Sequence, residues 1–197
     1  MIDTDLLLQY GATERKASKD ETILFEGDEA HFYYQIVSGS VKMINTNDDG
    51  KEFIQGIFDA GQGFGEPPLF DDGVYPASAV AMNNCVMLRL GKEKFLELLK
   101  SNSDVHFHFT RKLALRLRNK AVMLSEVSSH NPEHRIITLI DQLRNASNKK
   151  EKRFMVNVTR QQIANMTGLR VETVIRAVRA MHTKGSVQIE RGKIYLP

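Results

Sequence analysis

The 197-residue sequence has no tryptophan, only five prolines and a single cysteine. With Cys85 alone, inside the apolar run "CVMLRL", no disulfide framework and no multi-cysteine metal or iron–sulfur site can be built within one chain. No apolar run approaches the ~18 residues of a membrane span. The first residues, "MIDTDLLLQYGATERK", are acidic where an export signal needs basic groups. These absences predict a soluble, unexported, cytoplasmic protein with no membrane partner. A more local absence raises a chemical question. Between Gly61 and Arg89 there is neither lysine nor arginine, yet this stretch contains "FGEPPLFDDGVYPASAVA", Phe64 to Ala81. A Gly-flanked turn of free N–H groups has the shape of an anion cradle, but such cradles normally add a cation.

The charge that is present divides unevenly. Residues 1–103 hold 9 Lys+Arg against 17 Asp+Glu, residues 104–130 hold 5 against 2, and residues 131–197 hold 13 against 5. A basic C-terminal third beside an acidic N-terminal half points to a polyanion partner for the former alone. The predicted domains are 1–103, a connecting helix over 104–130, and 131–197.

From Thr22 to Leu90 short β-type runs alternate with turn signals: "TILFE", "FYYQIV", "SVKMINT", "EFIQGIF", "ASAVA" and "CVMLRL". Strands of this length and spacing predict an eight-stranded antiparallel roll. After Gly91 the periodicity becomes helical, and Asp104 to Ser129 runs without Gly or Pro. Such a helix, on the order of 35 Å long, exceeds what a small roll can cover. Its stripe of Leu113, Leu117 and Leu124, with Phe109 one turn earlier, predicts a homodimer helix; the alternative is packing on its own roll. Asn131-Pro132 caps and opens a further helix. The fold class is α+β: an antiparallel jelly roll, a long helix, and a C-terminal helical domain.

The segment "VTRQQIANMTGLRVETVIRAVRAMHTKGSVQIERGKIYLP" is the most informative. Thr159 caps a helix; Ala164 permits close helix approach, Gly168 takes the turn, and Val174 plugs the angle to a second helix. "SVQIE", Arg191-Gly192 and "KIYLP" read as a hairpin wing. This is a winged helix-turn-helix for double-stranded DNA. The second helix would present Arg170, Glu172, Thr173, Arg176 and Arg179. Glu172 can accept from cytosine and Arg176 can donate twice to guanine, so this pair reads bases; their alternative is a surface ion pair. Thr159, Arg160, Arg170, Thr173, Arg179, Lys184, Arg191 and Lys193 are the further DNA contacts, with Lys184, Arg191 and Lys193 mostly on phosphates.

Here the sequence resembles the Crp-Fnr family, that of the catabolite activator and the fumarate-nitrate regulators. The resemblance covers nearly the whole chain. It rests on "ILFEGDEAHFYYQIVSGSVKMI", "DDGKEFIQGIFDAGQGFGE" and "TRQQIANMTGLRVETVIR". It implies a homodimeric transcription regulator that reads a palindromic operator, with a cyclic-nucleotide-binding-like roll, a dimerisation helix, and RNA polymerase as a further partner. Glu172 and Arg176 match the family's base-reading residues, while Val171 stands where catabolite activators carry another arginine. The phosphate cassette falls on the Phe64–Ala81 stretch. Gly65 and Glu66 match its ribose-binding pair, but Tyr75 and Pro76 stand where Arg and Ser are expected, beside Ala77. The family's adenine-contacting Thr and Ser fall near Lys120 and Ala121, which do not match. The effector-pocket candidates are thus Gly65, Glu66, Tyr75, Pro76, Ala77 and Lys120. Cyclic AMP is rejected as the effector, while another small acidic ligand, or none, stays open.

No other cofactor of the family is expected. Oxygen sensors need a cysteine cluster, and a haem or metal needs suitably placed histidines. The histidines are His31, His106, His108, His130, His134 and His182. "HFH" at His106 and His108 lies in a helical segment, where side chains two apart diverge by about 200°. No Ser-His-Asp, Cys-His or paired-carboxylate arrangement points to an enzyme. The competing reading is a small-molecule-sensing module whose C-terminal domain contacts protein instead of DNA.

Overall fold

The computed structural model describes residues 2–129, 131–147 and 153–196; His130 lies outside the described residues. The chain divides into two compact units, Met1–Ala114 and Leu115–Pro197. No described helix is long and apolar enough to cross a membrane.

The first unit opens with α1 (Thr4–Gln9), capped by Asp3, whose carboxylate accepts from the N–H groups of Asp5 and Leu6. Eight strands follow: β1 (Thr13–Ala17), β2 (Thr22–Leu24), β3 (Phe32–Ser38), β4 (Ser40–Thr46), β5 (Glu52–Asp59), β6 (Gly63–Phe64), β7 (Ser78–Ala81) and β8 (Cys85–Gly91). The short helix α2 (Pro68–Asp71) lies between β6 and β7, and α3 (Lys92–Ser101) follows β8. Two four-stranded antiparallel sheets result, ordered β1-β8-β3-β6 and β2-β7-β4-β5. This is the eight-stranded roll read from the sequence, but two of its strands fall outside the apolar runs. β1 is the polar "TERKA", of which only Ala17 is buried, and β6 is two residues long.

The roll's core centres on aromatic rings. Tyr33 stacks on Phe95 with centroids 4.7 Å apart, and Phe109 meets Phe95 edge-on at 5.4 Å. Gln35, buried at 5 % exposure, fastens the chain's start to this core. Its Nε2 donates to Ile2 O at 2.8 Å, while its Oε1 accepts from Ile2 N at 3.1 Å and the Tyr33 hydroxyl at 3.0 Å.

The long helix α4 runs Ser103–Ser129. The predicted stripe divides on it. Phe109 is buried in the roll's core and Leu113 packs against that core, whereas Leu117 and Leu124 stand 71 % and 73 % exposed. Phe109 and Leu113 therefore follow the alternative reading, packing on their own roll. The apolar exposed line is a slightly rotated one: Phe107, Ala114, Leu117, Ala121 and Leu124, with Thr110 between, spaced alternately three and four residues apart.

The second unit contains α5 (Pro132–Ala146), β9 (Phe154–Val156), α6 (Arg160–Thr167), α7 (Val171–Thr183), β10 (Gln188–Glu190) and β11 (Lys193–Leu196). Asn131 caps α5, accepting from His134 N at 3.0 Å, with Pro132 at the first helical position. The three short strands form one antiparallel sheet ordered β10-β11-β9. Ile136, Ile140, Ile163, Val174, Val178 and Ile194 are the centre of a separate core.

Candidate nucleic-acid interface and effector cassette

The helix-turn-helix is built by three local devices. Thr159 Oγ1 accepts from Gln162 N at 3.1 Å and Gln162 Oε1 accepts from Thr159 N at 2.8 Å, a reciprocal cap that fixes where α6 begins. Gly168 ends α6 at φ 70°, a left-handed conformation that costs a residue with a Cβ about 1 kcal/mol. Ala164 and Val174, both at most 1 % exposed, let the two helices close on each other.

This geometry gives α7 two unlike faces. Val174, Ala177, Val178 and Met181 are buried, while Glu172, Arg176 and Arg179 are exposed. Arg170 sits at the helix N-cap in extended conformation, one residue before the helix on which the sequence places it, and Thr173 is half-buried. Among the described residues no ion pair joins Glu172 to Arg176. Glu172 also lies in the first turn, where the helix dipole favours a carboxylate.

The wing places the remaining cations differently from one another. Arg191 and Gly192 form its tip at φ 46° and 77°, and Arg191 and Lys193 are exposed on either side of the glycine. Lys184, at the end of α7, instead holds both carboxylate oxygens of Glu133 at 2.9 and 2.7 Å. Arg160 Nη1 donates to Gly192 O at 2.8 Å. Arg153, which the sequence does not single out, lies 4.1 Å over the Tyr195 ring, donates to Gln188 Oε1 at 3.0 Å and pairs with Glu190. Its signal is hidden because β9, which it directly precedes, is only three residues long and too short to show an alternation.

In the cassette, Gly65 takes φ 82°, and a Cβ there would come within 3.2 Å of both Phe32 O and a Tyr34 ring carbon. Only glycine fits this approach. Glu66 is buried at 2 % exposure, and its carbonyl accepts from Leu69 N as α2 begins. Tyr75 is turned inward and 4 % exposed. Its hydroxyl donates to Phe32 O at 3.2 Å and accepts from Phe32 N at 3.3 Å, so Gly65 and the phenol converge on the same carbonyl. Burial pushes this phenol above the ordinary tyrosine range. Pro76 is exposed, with its carbonyl accepting from Asn45 Nδ2 at 2.8 Å, and Ala77 is buried. Lys92 pairs with Asp72, which lies just past α2, and holds that carboxyl below its usual range. Lys120 belongs to the second unit; desolvation and then the Arg116 charge lower its ammonium from the lysine value.

Of the histidines, His108 Nδ1 lies 2.9 Å from Asp104 O, His134 Nδ1 lies 2.6 Å from Glu126 Oε2, and His182 Nδ1 lies 3.2 Å from Val187 O. Among the described residues no group of three or more His, Cys, Asp and Glu is disposed to hold a metal.

Comparison with known proteins gives the same division of labour. Residues 14–102 match the cyclic nucleotide-binding domain and residues 134–197 the Crp-like helix-turn-helix domain. The cAMP-activated global transcriptional regulator CRP of Haemophilus influenzae is 28 % identical over 172 residues, covering 84 % of this chain and 75 % of its own. The cyclic AMP receptor protein of Thermus thermophilus is 28 % identical over 193 residues, covering 98 % and 87 %. The structure of FixK2 from Bradyrhizobium japonicum superposes with a TM-score of 0.79 at 22 % identity, over 94 % of this chain and 92 % of that one. A roll, a long helix and a winged helix-turn-helix in this order, matched along nearly the whole length, make the chain a member of the Crp-Fnr family of DNA-binding transcription regulators.

Proposed function

We propose that this regulator works as a homodimer that reads a palindromic operator through Glu172 and Arg176, and that its cassette does not take cyclic AMP. The observation that carries the second half is the phenol of Tyr75. The site where the family places a phosphate-binding arginine is filled by a buried, uncharged ring whose hydroxyl is already engaged with the Phe32 backbone. The next residue, Pro76, has no N–H to offer, and no cation lies between Gly61 and Arg89. Two relatives are named for cyclic AMP, so the departure is specific to the cassette and does not reflect a different fold. Without a charge-assisted bidentate hydrogen-bond pair, a buried phosphate site binds more weakly by on the order of a hundredfold or more.

The DNA-facing half rests on exposed α7 cations and an exposed Glu172 in a Crp-like helix-turn-helix. The sequence offers no catalytic constellation. DNA binding is then constitutive or switched by a signal other than cyclic AMP. The two halves are tested together by titration calorimetry with cyclic AMP and by mobility shift on a duplex selected from a random pool. We expect DNA binding without added nucleotide and no heat at micromolar cyclic AMP. Micromolar binding of cyclic AMP that switches on DNA affinity would show that the cassette had been rebuilt around other groups.

A further inference from the structure

We propose that Arg160 is a positioning residue that latches the wing to the first turn of α6, and that it serves DNA binding through the wing and not by touching phosphate itself. The latch's consequence rests on the DNA-binding reading above, but the latch is a property of the free protein. Arg160 is the first residue of α6, placed there by the Thr159 cap. The residue is half-buried, and its Nη1 donates to the carbonyl of Gly192, 32 positions away, at 2.8 Å.

That carbonyl is a distinctive anchor. Arg191 and Gly192 are two successive left-handed residues joining β10 to β11, the arrangement of a tight two-residue hairpin turn. The ladder on either side is closed by the Glu190–Lys193 pair, so the Gly192 carbonyl lies beyond it. A charged donor on that oxygen fixes the tip by a bond about twice as strong as a neutral one. Arg191 and Lys193 flank Gly192 directly, and both are exposed. Holding one carbonyl therefore holds two cations.

The need for a latch follows from the wing's size. Its strands have three and four residues, and β9 pairs with β11 only from Ile194 to Leu196, so the Arg191-Gly192 tip projects past the third strand. Arg153 fastens the wing along its length, from Gln188 and Glu190 to the Tyr195 ring. Arg160 fastens its tip. Two arginines of the basic C-terminal unit are thus engaged by other groups of the same chain, and the cations left for phosphate at the wing are Arg191 and Lys193.

The test compares wild type, Arg160→Ala, the Arg191→Ala/Lys193→Ala double variant and the triple variant in the full chain. Affinity for a random-sequence duplex is measured across salt concentrations, and amide hydrogen exchange of residues 188–196 is measured without DNA. Arg160→Met, which keeps the aliphatic stem, replaces Arg160→Ala should the latter fold poorly. The latch predicts that Arg160→Ala lowers the salt slope by about two per subunit, as the double variant does, and that the triple variant is no weaker than the double within about twofold. It also predicts wing-tip exchange about tenfold faster in Arg160→Ala. A slope lowered by about one in both backgrounds would make Arg160 a phosphate contact and overturn the proposal. Unchanged wing exchange would overturn it as well. If wild type bound no duplex, the DNA-binding reading would fail, while the exchange data would still decide the latch.

Discussion

A hydroxyl set between the N–H and the carbonyl of one residue satisfies both groups without any ion. Tyr75 does this for Phe32, from 43 positions away. The sequence shows that the expected arginine is absent; it does not show what the replacement does, because the partner is a backbone group on a distant strand. Gly65 and Glu66 are legible as a turn and a carboxylate, whereas the role of Phe32 O at the centre of the cradle is not. Removing the hydroxyl in Tyr75→Phe leaves Phe32 short of a partner, and we expect a loss of about 1 kcal/mol in urea denaturation at neutral pH. The pH dependence has a definite sign. Burial raises the phenol's pKa above its ordinary value of 10.0, so the folded chain keeps this proton where the unfolded chain releases it. The hydroxyl's stabilisation is therefore complete below that pH and is lost as pH rises above it. The stability gap between wild type and Tyr75→Phe should narrow as pH climbs from about 8 to about 11. A gap that stayed constant would mean that the phenol is not held as a buried acid.

Elements are legible in proportion to how strongly burial imposes a period on them. α7 can be read almost to the residue, because Val174, Ala177, Val178 and Met181 repeat with helical spacing and are all buried. β1 and β9 cannot, since an edge strand such as "TERKA" buries one side chain and leaves no alternation to detect. On α4 the spacing alone gives a stripe rotated from the exposed one, and the tertiary core decides which apolar side chains it keeps. The faces of α7 set its own prediction. Arg176 is exposed one turn after Glu172 and unpaired with it, the placement needed to donate twice to a guanine edge. Arg176→Ala should cost ~1 to 3 kcal/mol at one G·C pair of the selected operator and relax discrimination there. Binding measured against duplexes substituted at each position checks this. An equal loss on operator and random duplex would reassign Arg176 to the phosphate backbone.

At the scale of the molecule, charge and the exposed line on α4 argue for the same assembly. The acidic first half gains nothing from a polyanion, so on the homodimer reading a second copy would add its own basic domain and raise affinity through simultaneous binding of two half-sites. On the homodimer reading proposed above, the line of Phe107, Thr110, Ala114, Leu117, Ala121 and Leu124 would supply the seam, since it has the alternating spacing that two supercoiled helices require. The small alanines let two such helices approach closely. Leu117 lies mid-seam and is 71 % exposed in the single chain. Leu117→Asp therefore changes a surface position of the monomer and should alter its folding stability by no more than about 0.5 kcal/mol. In the dimer the same change sets two carboxylates against each other near the two-fold axis. We expect sedimentation to show a folded monomer, with circular dichroism unchanged. Affinity for a palindromic operator should fall by about a hundredfold or more, because each half-site is then bound without its partner. Affinity for an isolated half-site should be nearly unaffected, since the α7 face and the wing are intact. A Leu117→Asp variant that sediments as a dimer and binds the palindrome normally would move the interface off this line of α4.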